Sequence, residues 1–108
     1  MKDLTSNETA ILVAVLSLDK EAYGVAISDY LSKFIHKKIS YGTLYSYLDQ
    51  LFRKGFLIKA LGSPVAERGG RAKIYYRLTK DGLAALKFAY EHQKLISKRL
   101  SEVLFDKV

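Results

Sequence analysis

The sequence lacks cysteine and tryptophan altogether, and it has one proline and one methionine. Without thiols the chain can form neither a disulfide framework nor a thiolate metal site, so we expect a reducing compartment, the cytoplasm. The longest run without a charge, residues 9–18, is shorter than the roughly 18 apolar residues that a membrane span needs. Met1-Lys2-Asp3 is not followed by the apolar stretch of a signal peptide. These absences predict a soluble, untargeted protein without a membrane segment.

Residue combinations that carry catalysis are also missing. The sequence shows no nucleophile with a base and no carboxylate pair, and Gly69-Gly70 lacks the Gly-Lys-Ser/Thr ending of a phosphate-binding loop. His36 and His92 lie far apart and have no cysteine companions, so we expect them at the surface rather than on a metal. We therefore predict a protein without enzymatic activity, metal or cofactor.

Basic residues, by contrast, are concentrated in one part of the chain. The 108 residues, nearly half of them apolar, are enough for one compact domain. The 18 lysines and arginines exceed the 11 aspartates and glutamates by seven. Residues 37–80 hold ten basic and two acidic side chains, whereas the rest of the chain sums to −1. This excess predicts one basic surface and a polyanionic partner, either nucleic acid or an anionic membrane surface.

Two helices are predicted in the first third of the chain. Thr5-Ser6-Asn7-Glu8 has the spacing of a capping box, so a helix begins there. Residues 10–18 are apolar almost all round, which predicts burial on more than one side and suggests a subunit interface. A second, amphipathic helix follows. Its apolar side carries Tyr23, Ile27, Tyr30, Leu31 and Phe34.

The third predicted helix has a polar face. Ser40 is its expected N-cap and Gly55 its C-terminal stop, and Asp49 is expected to pair with Arg53 at i,i+4. Its buried stripe consists of Leu44, Leu48 and Leu51. Its opposite face carries Thr43, Ser46, Tyr47, Gln50 and Lys54. Because these side chains offer donors, acceptors and a cation, the face suits base edges and phosphates.

A hairpin and a long helix complete the chain. Residues 56–61 and 72–78 are predicted strands joined by a glycine-bearing loop. In the second strand, successive side chains point to opposite faces. The apolar face carries Ile74, Tyr76 and Leu78, and the basic face carries Lys73, Tyr75 and Arg77. Thr79 is expected to cap a helix that reaches to about Lys107. At ~25 residues, this helix is longer than so small a core can cover, so a second copy of the chain is the expected cover.

This order of elements defines the fold class: mainly α with a small β-hairpin. We expect a winged helix-turn-helix in residues 1–79 and a long C-terminal dimerisation helix in residues 80–108, within one compact domain. In such a fold the third helix enters the major groove and the hairpin reaches the neighbouring backbone.

Four motifs resemble the PadR family of bacterial transcriptional regulators, from about Leu4 to Tyr90. They are Ala22-Tyr23-Gly24, Ser40-Tyr41-Gly42-Thr43-Leu44-Tyr45, Gly69-Gly70-Arg71 and Tyr75-Tyr76-Arg77-Leu78-Thr79. The single C-terminal helix is similar to the short subfamily. The resemblance implies a homodimer joined through the first and last helices and bound to an inverted-repeat operator on double-stranded DNA. It also implies repression and, in some members, release by a small aromatic or drug-like effector.

The resemblance and the polar face together define the expected site residues. Ser40, Gly42, Thr43 and Tyr45 match the family's recognition-helix motif, and Arg71 and Lys73 match its wing cations. The predicted DNA-binding residues are Ser40, Tyr41, Gly42, Thr43, Tyr45, Ser46, Tyr47, Gln50, Lys54, Arg68, Arg71 and Lys73. The predicted dimer interface consists of Ile11, Leu12, Val15, Leu86, Tyr90, Ile96, Leu100, Val103 and Leu104.

Alternative interpretations remain open for three residues and for the function. Tyr45 suits a DNA contact and equally suits closing the core with its hydroxyl outward. Tyr75 is expected to pack across the hairpin, with stacking on a nucleotide as the alternative. Gly42 is expected to pack tightly on the second helix, with close approach of DNA as the alternative. A module that docks onto an acidic protein, or an RNA-binding winged helix, remains beside the DNA-binding regulator.

Overall fold

A computed structural model describes residues 3–62 and 73–106, and the predicted order of helices and strands is confirmed there. A 3-10 turn, Asp19–Glu21, separates the first two helices, and single π-helical turns, Leu31–Ile35 and Glu102–Asp106, extend the second and the last. The main elements are α1 (Ser6–Leu18), α2 (Gly24–Tyr30), α3 (Tyr41–Arg53), β1 (Leu57–Leu61), β2 (Ile74–Leu78) and α4 (Lys80–Ser101).

The capping box at the start of α1 is confirmed. The Glu8 amide donates to Thr5 Oγ1 over 3.1 Å, and the Thr5 amide donates to Glu8 Oε1 over 2.9 Å. These two bonds satisfy backbone donors that a helix start leaves without partners. Helix α1 then runs through the middle of the protomer and contacts α2, α3, α4 and β2.

Most of the apolar side chains of α1 are buried within the single chain. Ile11 and Leu12 are fully buried and Val15 is 1% exposed in the single chain. A second chain therefore has no surface of these three side chains to cover. Assigning them to a dimer interface is corrected by the structure, because α1 is the central element of the core.

Helix α2 buries a narrower face than its pattern predicts. Ile27 and Leu31 are buried, but Phe34 is 61% exposed and lies against Tyr30, with 4.8 Å between ring centroids. The chain adopts π-helical geometry over Leu31–Ile35, which changes the angle between successive side chains. Ile35, rather than Phe34, therefore packs against the core.

The predicted limits of α3 are confirmed. Ser40 Oγ accepts from the Thr43 amide over 3.3 Å, and Gly55 takes a positive φ of 82° just after the helix. A left-handed φ of this kind is easy for glycine and strained for other residues. The stripe of Leu44, Leu48 and Leu51 is fully buried, so α3 packs by one face and leaves the other exposed.

Strands β1 and β2 pair antiparallel with Leu57 opposite Leu78 and Leu61 opposite Ile74. Tyr76 is buried, but Ile74 is 41% exposed, so the predicted apolar face of β2 is wrong at that end. Ile74 and its partner Leu61 form the last pair before the loop, beyond the reach of the core.

Helix α4 begins as predicted, with Thr79 Oγ1 accepting from the Gly82 amide over 3.0 Å. Its first turns pack closely: a Cβ atom on Gly82 would lie 3.0 Å from the carbonyl carbon of Phe56. Ala85 is buried, and Leu86 packs partly against the core. From Tyr90 onward α4 leaves the core, which gives the protomer a longest dimension of 61 Å. The prediction that α4 is longer than the core is thereby confirmed.

Candidate nucleic-acid interface

The outward face of α3 holds most of the predicted DNA-binding residues in one place. They include hydroxyl, amide and aromatic groups, and Ser40 Oγ donates to Thr43 Oγ1 over 3.0 Å at the start of the helix. The exposed members of this face are Ser40, Tyr41, Gly42, Thr43, Tyr45, Ser46 and Gln50. We call these seven residues the α3 face.

Gly42 lies in open space within the first turn of α3. A Cβ atom placed on it would meet nothing within 4 Å. The expectation that Gly42 packs tightly on α2 is therefore wrong. A glycine in a helix costs roughly 0.5–1 kcal/mol relative to alanine, and contacts within the described part of the protomer do not account for it. The alternative, close approach of DNA to the helix backbone, stays a prediction.

Tyr45 packs against α2 and remains partly exposed to solvent. Its ring lies against Gly24 at the start of α2, and 45% of its surface remains accessible. Its neighbour Tyr76, on β2, is buried, and this burial raises the pKa of Tyr76, with Tyr45 and Asp49 raising it further. The Tyr76 hydroxyl therefore stays protonated at neutral pH.

Two predicted DNA-binding residues, Tyr47 and Lys54, have partners on α1 instead. The side-chain amide of Asn7 donates to Tyr47 Oη over 3.1 Å, and Lys54 Nζ lies 2.5 Å from Glu8 Oε2. Tyr47 is half-buried, and the Glu8 carboxylate is 2% exposed. These two side chains are directed toward α1, away from the α3 face.

Asn7 and Glu8 were not predicted as partners of α3. Burial by itself would raise the pKa of Glu8, but hydrogen bonds from Lys54 and from Thr5 outweigh it, and the pKa is lowered overall. The carboxylate is therefore charged at neutral pH. The sequence contained one indication of this pairing, because a glutamate next to an apolar run needs a partner once it is buried.

On the hairpin, Lys73 and Tyr75 pack together with Tyr23. Lys73 Nζ lies 4.0 Å from the centroid of the Tyr23 ring, and Tyr75 meets the same ring edge-on at 5.7 Å between centroids. Tyr75 also lies 2.5 Å from the position of a Cβ atom on Gly62. The expectation that Tyr75 packs is confirmed. The predicted wing residues Arg68 and Arg71 lie outside the described residues.

Several other central cations already have partners in the protomer. The predicted pair of Arg53 with Asp49 is confirmed, with 3.0 Å between Arg53 Nη2 and Asp49 Oδ2. Lys59 lies 3.8 Å from the same carboxylate and 4.4 Å from the centroid of the Phe52 ring. Exposed pairs of this kind are worth about 0–1 kcal/mol, so they reorganise easily when phosphates compete.

Among the described residues, Lys38 is an exposed cation without a partner, in the turn that leads into α3.

A groove lies away from the α3 face, between the start of α1 and the middle of α4. This groove has a volume of about 750 Å³, and its lining is mostly apolar. Phe88 and His92 stack on the α4 side, with 6.0 Å between ring centroids. The lining includes Leu4, Thr9, Ala10, Val13, Leu86, Ala89, Gln93 and Ile96.

Residues 3–62 and 73–106 contain neither a membrane-spanning helix nor a cluster of metal ligands. No helix in this part combines the length and hydropathy of a membrane span. No three side chains among its histidines and carboxylates gather closely enough to hold a metal ion.

Three helices followed by an antiparallel hairpin, with an exposed polar face on the third helix, define a winged helix-turn-helix protein. Residues 12–88 match the family model of the transcriptional regulator PadR-like family, and the chain belongs to that family. Members of the family are transcriptional regulators, not enzymes, so the prediction of a non-enzymatic protein is confirmed. A comparison with curated protein sequences gives no match.

Solved structures share the fold over most of the chain. A transcriptional regulator from Clostridium thermocellum is 24% identical with a TM-score of 0.75, and the match covers 94% of this chain and 98% of that one. A PadR family regulator from Eggerthella lenta is 23% identical with a TM-score of 0.74, covering 92% and 84%. A PadR-like regulator from Bacillus cereus is 23% identical with a TM-score of 0.73, covering 92% and 91%. The resemblance in fold class and family is thereby confirmed.

Proposed function

We propose that this transcriptional regulator binds a specific inverted-repeat operator as a homodimer and represses transcription from it. The observation that carries the proposal is the open first turn of α3, where Gly42 leaves the helix backbone uncovered. The N-terminal end of a helix attracts anions because its amide groups point outward. A DNA backbone can therefore approach α3 more closely at this turn than a residue with a side chain would allow.

The chemistry of the α3 face supports base reading. Thr43 and Ser46 present hydroxyl groups that can donate or accept, and Gln50 can form a bidentate contact with adenine in the major groove. Lys38 stands at the edge of this face and is suited to a phosphate. Lys73, Arg68 and Arg71 are assigned to the neighbouring backbone on the wing side.

Helix α4 and the turn that extends it support the homodimer. Six predicted interface residues on this segment are apolar and lie at the edge of the core or beyond it. Tyr90 is 63% exposed, and the others are about half exposed or more deeply covered: Leu86, Ile96, Leu100, Val103 and Leu104. An apolar stripe of this length favours association with an identical stripe. A two-fold axis would then place two α3 faces about 34 Å apart, one helical turn of DNA.

The groove between α1 and α4 supports a small effector. Its volume of about 750 Å³ is within the range of ligand pockets, and stacked Phe88 and His92 lie beside it. We assign it a planar aromatic molecule. The groove shares Leu86, Tyr90 and Ile96 with the proposed dimer stripe, so an effector bound there would alter the contact between the protomers and with it the spacing of their α3 faces.

Selection of bound fragments from genomic DNA, followed by gel shift, tests the proposal. Thr43→Ala and Ser46→Ala are expected to change the preference among sites, because they alter base contacts. Lys38→Ala is expected to weaken binding to all DNA and to flatten the dependence of log K on log salt by about 0.9. If no fragment is retained at moderate salt, the protein-docking alternative replaces the proposal, and preferential retention of RNA supports the RNA-binding one.

A further inference from the structure

Among the described residues, Glu8 is the one charged side chain that is buried in the protomer. A buried carboxylate is unfavourable unless it is paired and hydrogen-bonded. Both oxygens of Glu8 have partners: Oε1 accepts from the Thr5 amide over 2.9 Å, and Oε2 lies 2.5 Å from Lys54 Nζ. The pair joins the first turn of α1 to the residue that follows α3, 46 positions later in the chain.

A second polar connection runs parallel to this ion pair. The side-chain amide of Asn7 donates to Tyr47 Oη over 3.1 Å, and its oxygen accepts from Lys37 Nζ over 2.7 Å. Tyr47 lies in the middle of α3, and Lys37 lies in the turn that leads into it. Asn7 and Glu8 therefore contact α3 and its flanks at the beginning, the middle and the end.

These polar contacts add to the restraint that the apolar stripe places on α3. Packing of leucine side chains is non-directional, so it restrains the rotation of α3 about its own axis less sharply than directional bonds do. Hydrogen bonds and ion pairs are directional, and they add specificity of orientation. For a helix with a radius of about 5–6 Å, a rotation of about 10° moves the exposed side chains by about 1 Å. A shift of that size breaks bidentate contacts to bases.

We propose that Glu8 and Asn7 are positioning residues for the α3 face, and that the charge of Lys54 serves this purpose within the protomer rather than contacting a phosphate. This inference rests on the proposed DNA-binding function. It predicts that the first turn of α1, which carries no residue of the α3 face, controls how well the protein distinguishes its operator from other DNA.

Salt dependence separates positioning from a phosphate contact. Lys54→Met is expected to weaken operator binding about tenfold, to leave binding to random-sequence DNA unchanged, and to keep the slope of log K against log salt. Lys38→Met is the matched control: it removes an exposed cation, so both kinds of DNA bind more weakly and the slope falls by about 0.9. If Lys54→Met behaves like Lys38→Met, the inference is overturned.

A double-mutant cycle tests the pair itself. If Glu8 and Lys54 act together, Glu8→Gln combined with Lys54→Met weakens operator binding no more than either change alone, and Lys54→Arg retains wild-type discrimination. Additive losses, or a Lys54→Arg protein as weak as Lys54→Met, contradict the inference. If Lys54→Met does not fold, Asn7→Ala supplies the same comparison at a more exposed bond, with Tyr47→Phe as its partner in the cycle.

A measurement without DNA keeps this inference separate from the proposed function. In the free protein, Lys54→Met is expected to shift the amide NMR signals of Thr43 and Ser46, although neither side chain touches Lys54. Lys98→Met, which removes an exposed cation on α4, should leave the Thr43 and Ser46 signals unchanged. Unchanged Thr43 and Ser46 signals in Lys54→Met overturn the inference whether or not the wild type binds DNA.

Discussion

The ring of Tyr45 on α3 lies against the bare Cα atom of Gly24 on α2, so close that a Cβ atom on Gly24 would be 2.6 Å from Tyr45 Cζ. Real Cβ atoms do not come this near to another side chain, so any residue larger than glycine would displace the ring. The contact joins the first turn of α2 to the second turn of α3. It also shows that Tyr45, one of the residues of the α3 face, is held in place by α2.

Replacing Gly24 with alanine should therefore act through Tyr45. The ring is 45% exposed and can turn outward, so we expect a loss of stability of only about 1 kcal/mol, together with weaker discrimination among DNA sites. Urea unfolding and gel shift measure the two effects. In a Tyr45→Ala background the same change should cost nothing in stability, because the methyl group then has room. A similar cost in both backgrounds would contradict the role of this contact.

Gly42→Ala is the matching glycine-to-alanine change in the first turn of α3. The added methyl group meets nothing within 4 Å, and alanine is the better helix former, so stability should rise by about 0.5 kcal/mol. DNA affinity should nevertheless fall, because the methyl group occupies the open turn of α3. Thermal unfolding and gel shift on the same sample check both signs. Unchanged operator affinity would remove the main support for DNA approach at this turn.

The Glu8 carboxylate should make stability depend on pH. Since its pKa in the folded protein is lowered from the ordinary value of 4.5, the charged form is favoured by folding. This contribution is fully present above the unfolded pKa, near 4.5, and is lost as the pH falls through the lowered folded pKa. Unfolding midpoints in urea at pH 7 and pH 3 should therefore differ less for Glu8→Gln than for the wild type. The control is Glu91→Gln, which changes an exposed carboxylate on α4 and should keep the wild-type difference.

A charge in the apolar stripe of α4 should dissociate the proposed homodimer without unfolding the protomer. Leu100 is 52% exposed in the single chain, so Leu100→Glu disturbs no core contact. Sedimentation should show dimers for the wild type at tens of micromolar and monomers for the variant, with unchanged helix content by circular dichroism. Lys98→Glu, on the opposite side of α4, should remain dimeric. A monomeric wild type under these conditions would rule out an obligate dimer.

Local features of the fold were predictable from the sequence. The caps at Thr5, Ser40 and Thr79 and the pair of Asp49 with Arg53 each depend on residues within four positions of one another. Such interactions form wherever the local backbone is helical, so sequence spacing is sufficient evidence for them. The same helical spacing predicted the exposure of Thr43, Ser46 and Gln50, whereas Tyr47 and Lys54, predicted on the same face, contact α1.

What the sequence could not predict depends on tertiary contacts. An apolar helix such as α1 has to be covered, but its pattern does not distinguish burial within the protomer from burial between protomers. The outward turn of Phe34 depends on a π-helical turn, and the exposure of Ile74 depends on how far the core extends along the hairpin. The pairing of Lys54 with Glu8 joins residues 46 positions apart, and neither residue alone indicates the other.

The exposure of the outer half of α4 bears on which substitutions the protein can accept. Nearly every side chain from Glu91 to Asp106 is exposed in the single chain, so substitutions there leave the core and the α3 face untouched. In the proposed homodimer, mutation there would alter which chains associate while every residue of the α3 face stays the same. Two copies of such a regulator would then be separated by substitutions in this segment alone.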